Sequence, residues 1–260
     1  MKITVFSSNQ PRHLSLISKL SKLAEHVYFI SEVNTVHPGR VEDFYKKSDI
    51  FKTYFQNVIA AEKKLFGEIT FSTDSVKVLP IKSGDLNLMT QNQLNEGLKS
   101  DLFIVFGASY IKGWLIDFLI KKKALNIHMG ISPYYRGSSC NFWALHDNNF
   151  GYVGATIHLL SKGLDSGEML QHCLPRFKST DTPFDFSMRA VLAAHEGLIN
   201  SIKNETIFSL NPKKQDINQQ VRYSKNIEFT DEIANNFLKR RIVFTQESIQ
   251  YPELLRPFFI

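Results

Sequence analysis

Cysteine is scarce in this 260-residue chain: only Cys140 and Cys173 occur, enough for at most one disulfide. That excludes a secreted disulfide framework and makes a reducing cytoplasm the expected compartment. No run of about 18 apolar residues exists, so neither a spanning helix nor a membrane partner is expected. The start, Met1-Lys2-Ile3-Thr4-Val5-Phe6, turns polar too soon for a signal peptide and reads as a strand. Glycine-rich phosphate loops are missing: neither G-x-G-x-x-G nor a P-loop occurs. Metal spacing is missing as well. His146, His158 and His172 lack an H-E-x-x-H pattern and the cysteines form no sequence pair, so no metal is expected. His158 and His172 read as structural strand residues. Internal repeats and low-complexity segments are also lacking.

What is present is ordinary for a globular protein, with 43% hydrophobic and 22% charged residues. The length suffices for one full α/β core, or one core plus a small appendage. The net charge of +6 is modest and suits a phosphorylated small molecule as well as a polyanion. The densest basic group, Lys239-Arg240-Arg241, fits a helix C-terminus complementing its own dipole. The 21 phenylalanines favour a well-filled core over an extended nucleic-acid surface, so no nucleic-acid partner is expected.

Strand and helix signals alternate through the first half. Ile3 to Phe6 reads as a strand, and His13 to Leu23 has apolar residues at near-helical spacing. His26 to Ile30 is a second strand, Phe51 to Phe66 an amphipathic helix and Ser75 to Leu79 a third strand. Leu102-Phe103-Ile104-Val105-Phe106 is apolar throughout, as in a strand covered on both faces. Trp114 to Ile120 is a short helix and Ala124 to His128 the next strand. This order predicts an α/β fold: an open, mostly parallel sheet with helices on both faces. Further on, Gly154 to Leu160 and Met169 to Leu174 read as strands, and Thr182-Pro183 opens a long helix. The expected division is a catalytic domain over 1–203 and a small C-terminal subdomain or dimerisation segment over 204–260. The apolar groups Tyr251-Pro252-Glu253-Leu254-Leu255 and Phe258-Phe259-Ile260 suggest a homodimer contact, or a segment folded back on its own core.

Three polar residues stand where such a sheet binds ligands. Asn126 and His128 are two apart on one strand, so they share a face. They lie at the C-terminal end of a parallel strand, the edge where open α/β sheets take ligands. Gly163-Leu164-Asp165-Ser166-Gly167 is a second, glycine-bounded loop that adds a carboxylate. An amide can hold a developing oxyanion, an imidazole can move a proton, and a carboxylate can orient the imidazole and favour its cation. Together they suit the transfer of an acyl carbon to an amine without a covalent nucleophile. Each residue alone also fits a plainer role: Asn126 a turn, His128 a half-buried ring, Asp165 an Asx turn. Cys140 reads as a small buried thiol.

At these residues the chain resembles the formyltransferases that use N10-formyltetrahydrofolate. Leu125-Asn126-Ile127-His128-Met129-Gly130-Ile131-Ser132-Pro133-Tyr134-Tyr135-Arg136-Gly137 is similar to the family's Asn-x-His segment. Thr156-Ile157-His158-Leu159-Leu160-Ser161-Lys162-Gly163-Leu164-Asp165-Ser166-Gly167 is similar to its aspartate loop. The resemblance covers roughly the first 200 residues. It implies a Rossmann-like fold, Asn126, His128 and Asp165 as the catalytic trio, and N10-formyltetrahydrofolate as co-substrate. It further implies a pterin held between Ala108-Ser109-Tyr110-Ile111 and Lys162-Gly163-Leu164, by backbone groups and by the apolar walls of Ile111 and Leu164.

The formyl acceptor is read from three regions. Ser8-Asn9-Gln10-Pro11-Arg12-His13 joins the first strand to the first helix, and free N–H groups at such a terminus attract phosphate. Ser8, Asn9, Arg12 and His13 are thus substrate-side candidates, Arg12 with bidentate geometry for a diphosphate; a capped helix with an exposed arginine fits them too. The loop lacks the glycines of the glycinamide ribonucleotide enzymes. Some 60 residues after Asn200 are too few for the C-terminal domain of methionyl-tRNA formyltransferases. Tyr135, Arg136 and Gly137 begin a run similar to the sugar N-formyltransferases. The acceptor expected is a nucleotide-linked amino-deoxy sugar, of the kind used in lipopolysaccharide or O-antigen biosynthesis. Formylation of methionyl-tRNA or glycinamide ribonucleotide, and hydrolysis of formyltetrahydrofolate, are the rival readings.

Overall fold

The computed structural model describes residues 1–41, 43, 47–242, 245 and 249–260. In chain order come β1 (Lys2–Ser8), α1 (Pro11–Leu20), β2 (His26–Val33), α2 (Asp49–Phe66), β3 (Val76–Lys82) and the single turn α3 (Gln91–Leu94). Next are β4 (Leu102–Phe106), α4 (Gly113–Lys121), β5 (Leu125–His128), β6 (Tyr135–Gly137), α5 (Cys140–His146), β7 (Ala155–Leu159) and β8 (Met169–Leu174). The long α6 (Pro183–Lys203), then β9 (Arg222–Ser224), α7 (Asp231–Lys239) and β10 (Phe258–Phe259) complete the order.

Eight strands form one sheet in the order β10-β8-β7-β5-β4-β1-β2-β3. From β3 across to β5 every pair is parallel, because each connection carries the chain back over the sheet. The turn after β5 ends this pattern. β7 returns antiparallel to β5, β8 antiparallel to β7, and β10 lies parallel to β8 at the edge. The fold is therefore α/β and Rossmann-like, with a mostly parallel sheet. β4 is buried at every position, as its unbroken apolar run requires.

Apolar side chains of β1, β4 and β5 meet α1 and α6 on one face, with Leu16, Ile17, Leu20, Ala194 and Leu198 at the contact. On the other face Phe6, Ile30, Phe103 and Val105 pack with Leu115, Ile116 and Leu119 of α4. Burying each such Leu or Ile stabilises by about 1.5–3 kcal/mol. Caps mark the helix starts: Thr182 and Asp185 form a reciprocal capping box with Pro183 in the first turn. Ser48 caps α2 through its hydroxyl and Thr230 caps α7 in the same way.

Residues beyond α6 return to this body at three places. β9 pairs with β6, Phe229 and Phe237 pack on Tyr54 of α2, and Phe258 and Phe259 pair with Cys173 and Leu174. Phe258 and Ile260 pack on one apolar cluster, and Leu254 and Phe259 on another. The apolar end that suggested a dimer contact is thus partly covered within the chain: Leu254, Phe258, Phe259 and Ile260 are half-buried, and Tyr251 is exposed. Among the described residues, no helix is long and apolar enough to cross a membrane.

Candidate active site

β5 ends at the point where the sheet changes from parallel to antiparallel. Asn126 and His128 leave this strand on the same face, and β7 sets His158 opposite Asn126 and Thr156 opposite His128. The loop after β7 carries Asp165 back over the strand end. Its Oδ2 lies 3.2 Å from His128 Nδ1, and its Oδ1 accepts from Asn126 Nδ2 at 3.3 Å. The two loops singled out in the sequence therefore meet on one carboxylate.

The protonation of His128 follows from its partners. Nδ1 faces the carboxylate and Nε2 lies 3.2 Å from the Tyr135 carbonyl oxygen. Both oxygens only accept, so both ring nitrogens carry hydrogen and the ring is a cation. Burial is the strongest single influence and opposes that charge, but Asp165 and Cys140 together outweigh it and hold the His128 pKa well above the usual value. In return, burial pushes the Asp165 carboxyl up, while His128 and then His158 pull it further down, to a net value well below the usual carboxylate range. Room for the ring depends on Gly130: a Cβ there would lie 2.7 Å from His128 Nε2 and 2.6 Å from Cys140 Cβ.

His158, read from sequence as a structural strand residue, belongs to this cluster. Its Nδ1 donates to the Leu159 carbonyl oxygen at 2.8 Å, so in the neutral ring Nε2 accepts from Asn126 Nδ2 at 3.0 Å. That contact and Asp165 fix the Asn126 amide with its NH2 toward both acceptors. In this resting state every donor hydrogen of Asn126 and His128 already has an acceptor. A reacting carbonyl must take one over, and the Asn126–Asp165 bond at 3.3 Å is the longest of the set.

Two cavities open on either side of His128. The first, of about 350 Å³, is lined by Ala108, Ser109, Tyr110, Ile111, Gly163 and Leu164, with Asn126, His158 and Asp165 at its inner end. Lys162 stands outside this lining; its ammonium pairs with Asp117 at 2.7 Å, while its carbonyl accepts from the Tyr110 hydroxyl. The 107–111 loop is pinned by a buried carboxylate, Glu32, whose Oε2 accepts from Ser109 N at 2.5 Å and Oε1 from Gly84 N at 2.9 Å. Gly107 takes a positive φ of 66°, and a Cβ there would lie 2.6 Å from His13 Nε2. Loop backbone, apolar walls and polar side chains suit a flat heterocycle with hydrogen-bonding edges, such as a pterin.

The second cavity, of about 390 Å³, includes Gln10, Arg12, Tyr54, Phe55, Glu62, Gly137, Asn141, Asn226 and Phe229. His128, Met129 and Arg12 line both cavities. Of the substrate-side candidates, Arg12 and Gly137 line this cavity, and Ser8, Asn9, His13, Tyr135 and Arg136 do not. Asn9 spends its amide on the Asn34 backbone at 2.9 and 3.0 Å, and buried Ser8 lines neither cavity. His13 faces the first cavity, not the second. Its pKa is well below the usual value because burial, and then Arg12 and His195, disfavour the cation. Arg12 lines both cavities, and its Nη1 pairs with Glu62 Oε1 at 2.8 Å. Tyr135 is buried, its hydroxyl bonded to Asp147 and Asn149, and Arg136 lines neither cavity. Among the described residues, no group of three or more His, Cys, Asp or Glu is placed to hold a metal ion.

Residues 82–202, which include Asn126, His128 and Asp165, match the sequence model of the family described as Formyl transferase. The methionyl-tRNA formyltransferase of Prochlorococcus marinus is 23% identical over 164 residues, 61% of this chain and 50% of that protein. The methionyl-tRNA formyltransferase of Finegoldia magna is 32% identical over 140 residues, 50% of this chain and 44% of that protein. The chain thus spans about half the length of the curated relatives it matches. Among solved structures, a 4-N formyltransferase from Francisella tularensis superposes with a TM-score of 0.56 at 16% identity, over 100% of this chain and 92% of that one. An N-formyltransferase from Helicobacter canadensis, in complex with folinic acid and dTDP-3-aminofucose, gives 0.53 at 15%, over 90% and 79%. At these identities the likeness is one of fold.

Proposed function

We propose, from the match of residues 82–202 to the formyl transferase family model, that this protein moves the formyl group of N10-formyltetrahydrofolate to the amine of a nucleotide-linked amino-deoxy sugar. One observation carries the reading: His128 is a wall common to two cavities, so groups bound in each meet at one imidazolium. The first cavity takes the folate and the second the acceptor. The folate supplies the formyl carbon. A bond forms between that carbon and the acceptor nitrogen, the bond to the donor nitrogen breaks, and the amine proton replaces it.

The chain's residues stabilise charge during this exchange. As the amine adds, negative charge grows on the formyl oxygen, and the Asn126 amide and His128 cation are the donors at the strand end. Preorganised donors of this kind are each worth about 2.7–4 kcal/mol of transition-state stabilisation. Since His128 already carries both hydrogens, it acts as donor and not as base. Asp165 keeps it charged and oriented, and His158 holds the Asn126 amide.

A nucleotide sugar fits the second cavity, which offers aromatic rings at Phe55, Phe142 and Phe229 beside polar groups at Gln10, Ser139 and Asn226. The solved formyltransferases that share the fold over most of their length include one bound to a dTDP-amino sugar. Incubation with formylated folate and a panel of nucleotide-linked amino sugars, followed by mass spectrometry, tests the reading. The expected result is a mass gain of one formyl group on one panel member. Formate release without amine would instead indicate a hydrolase.

The curated relatives support a second acceptor, methionyl-tRNA. Saturable tRNA binding that weakens steeply with salt, together with formylation of the bound methionine, would establish it.

A further inference from the structure

Glu62, on α2, is a carboxylate only 4% exposed. Its Oε1 accepts twice from Arg12, from the backbone N–H at 3.1 Å and from Nη1 at 2.8 Å. Among the described residues, no donor reaches Oε2. Oε2 is not sealed in the interior: it is open to the cavity that Glu62 lines, so it can accept from a bound ligand. Glu62 lines the second cavity, and of the described residues around that cavity it is the one carboxylate. The other charged groups there, Arg12 and the His128 cation, are positive.

These facts set a problem for an amine acceptor. Near neutral pH an aliphatic amine enters largely as an ammonium. It meets two cations at this wall and a single anion with one oxygen open. We propose that Glu62 Oε2 captures the ammonium form of the acceptor, which gives up one proton to bulk water before its nitrogen adds to the formyl carbon, and that Glu62 is thereby the residue that selects an amine over the corresponding hydroxyl. The proposal rests on reading the second cavity as the acceptor site. Arg12 is then not a phosphate ligand but the group that holds Glu62 in place, spending Oε1 and leaving Oε2 to the cavity. A neutral side chain at 62 would keep the shape of the wall and lose the preference for charge.

The test uses the nucleotide-linked amino sugar that accepts a formyl group, and the same nucleotide sugar with a hydroxyl in place of the amine as an inert competitor. KM for the amine and Ki for the hydroxyl analogue are measured for the wild type, Glu62→Gln and Glu62→Asp. In Glu62→Gln the acceptor KM should rise on the order of thirtyfold, the scale for truncating one side of a desolvated charge pair. The Ki of the hydroxyl analogue should stay within about twofold, since an amide oxygen still accepts from a hydroxyl. Glu62→Asp, which keeps the charge, should recover part of the discrimination. Affinity for folinic acid should not change in either variant, which separates loss of an acceptor contact from general loosening of the fold. An unchanged acceptor KM in Glu62→Gln, or equal losses for amine and hydroxyl, would overturn the proposal while formyl transfer stands. Failure of every amino sugar in the panel would overturn the acceptor reading itself, and this assignment with it.

Discussion

Nδ1 of His128 stands 3.2 Å from Oδ2 of Asp165, while Nε2 of the same ring faces the Tyr135 carbonyl at the same distance. The imidazole is thereby committed to its cationic form before any ligand binds. A chemistry that needs a donor throughout the neutral range gains from this. A chemistry that needs His128 as a base would have to break the pair first.

The pH dependence of Asp165→Asn tests that commitment. In the wild type the Asp165 charge raises the His128 pKa against the effect of burial, so the rate should hold through neutrality and fall only on the alkaline side. Without the carboxylate, only Cys140 still opposes burial, so the pKa falls. The alkaline limb of kcat/KM should then move to lower pH, and kcat should drop on the order of a hundredfold or more. The same pair contributes to stability. Asp165 has a depressed folded pKa, so its contribution is present above the unfolded value of about 3.9 and is lost as pH falls below it. His128 has a raised folded pKa, so its contribution is full below the unfolded value of about 6.5 and is lost as pH rises through the folded one. The Tm difference between wild type and variant should peak between about pH 4 and 6.5 and shrink on both sides. A pH-independent difference would show that the two groups do not titrate as a pair.

Asn126→Ala removes the amide that reaches both His158 and Asp165. The loss of one oxyanion donor should cut kcat by roughly 10²–10³ with a small change in Tm. Near-normal turnover would show that another group holds the oxygen. His158→Ala should cost less, on the order of tenfold, since it frees the amide without removing it. Single-turnover rates for both variants would rank them.

The fold was legible where local pattern and global architecture agree. Leu102–Phe106 and Met169–Leu174 are strands over their expected lengths, and the long helix begins at its expected Thr182-Pro183 cap. What escaped is non-local. β6, β9 and β10 span three residues or fewer, too short for any period to show, and exist because distant segments pair with them. The same limit applies to the site. Asn126 and His128 share a face by the period of two, and Asp165 announces itself through its glycines. The place of His158 depends on the β5–β7 register, which no local signal carries across the intervening residues. Arg12 and Glu62 lie 50 positions apart, so the arginine's partner was equally invisible.

Glu32 gives a prediction for the folate side. Its two oxygens take backbone N–H groups of Ser109 and Gly84, tying the 107–111 loop to the end of β2. In Glu32→Gln the side-chain NH2 must face one of those N–H groups, so at least one charge-assisted bond is lost, worth about 1.5–3 kcal/mol. A loosened loop should raise KM for the folate by roughly ten- to a hundredfold. KM for the acceptor and kcat at saturation should change little. A uniform fall in all three parameters, tracking a lower Tm, would mean that Glu32 supports the fold and not the pocket.

Gly130→Ala isolates the packing of the catalytic ring. The added methyl would meet His128 Nε2 at 2.7 Å, Cys140 Cβ at 2.6 Å and the Tyr135 carbonyl at 3.1 Å, so a neighbour must shift. Overpacking of this kind costs about 1–3 kcal/mol of stability. The ring is the more movable of these neighbours, so it should swing off the Tyr135 carbonyl and out of line with Asp165. A displacement near 1 Å can cost on the order of a hundredfold in rate. The variant should therefore fold, melt a few degrees lower and lose turnover well beyond its loss of stability. Folinic acid binding should survive, because the 107–111 wall is untouched. Wild-type turnover in this variant would show that the resting position of His128 does not matter for the reaction.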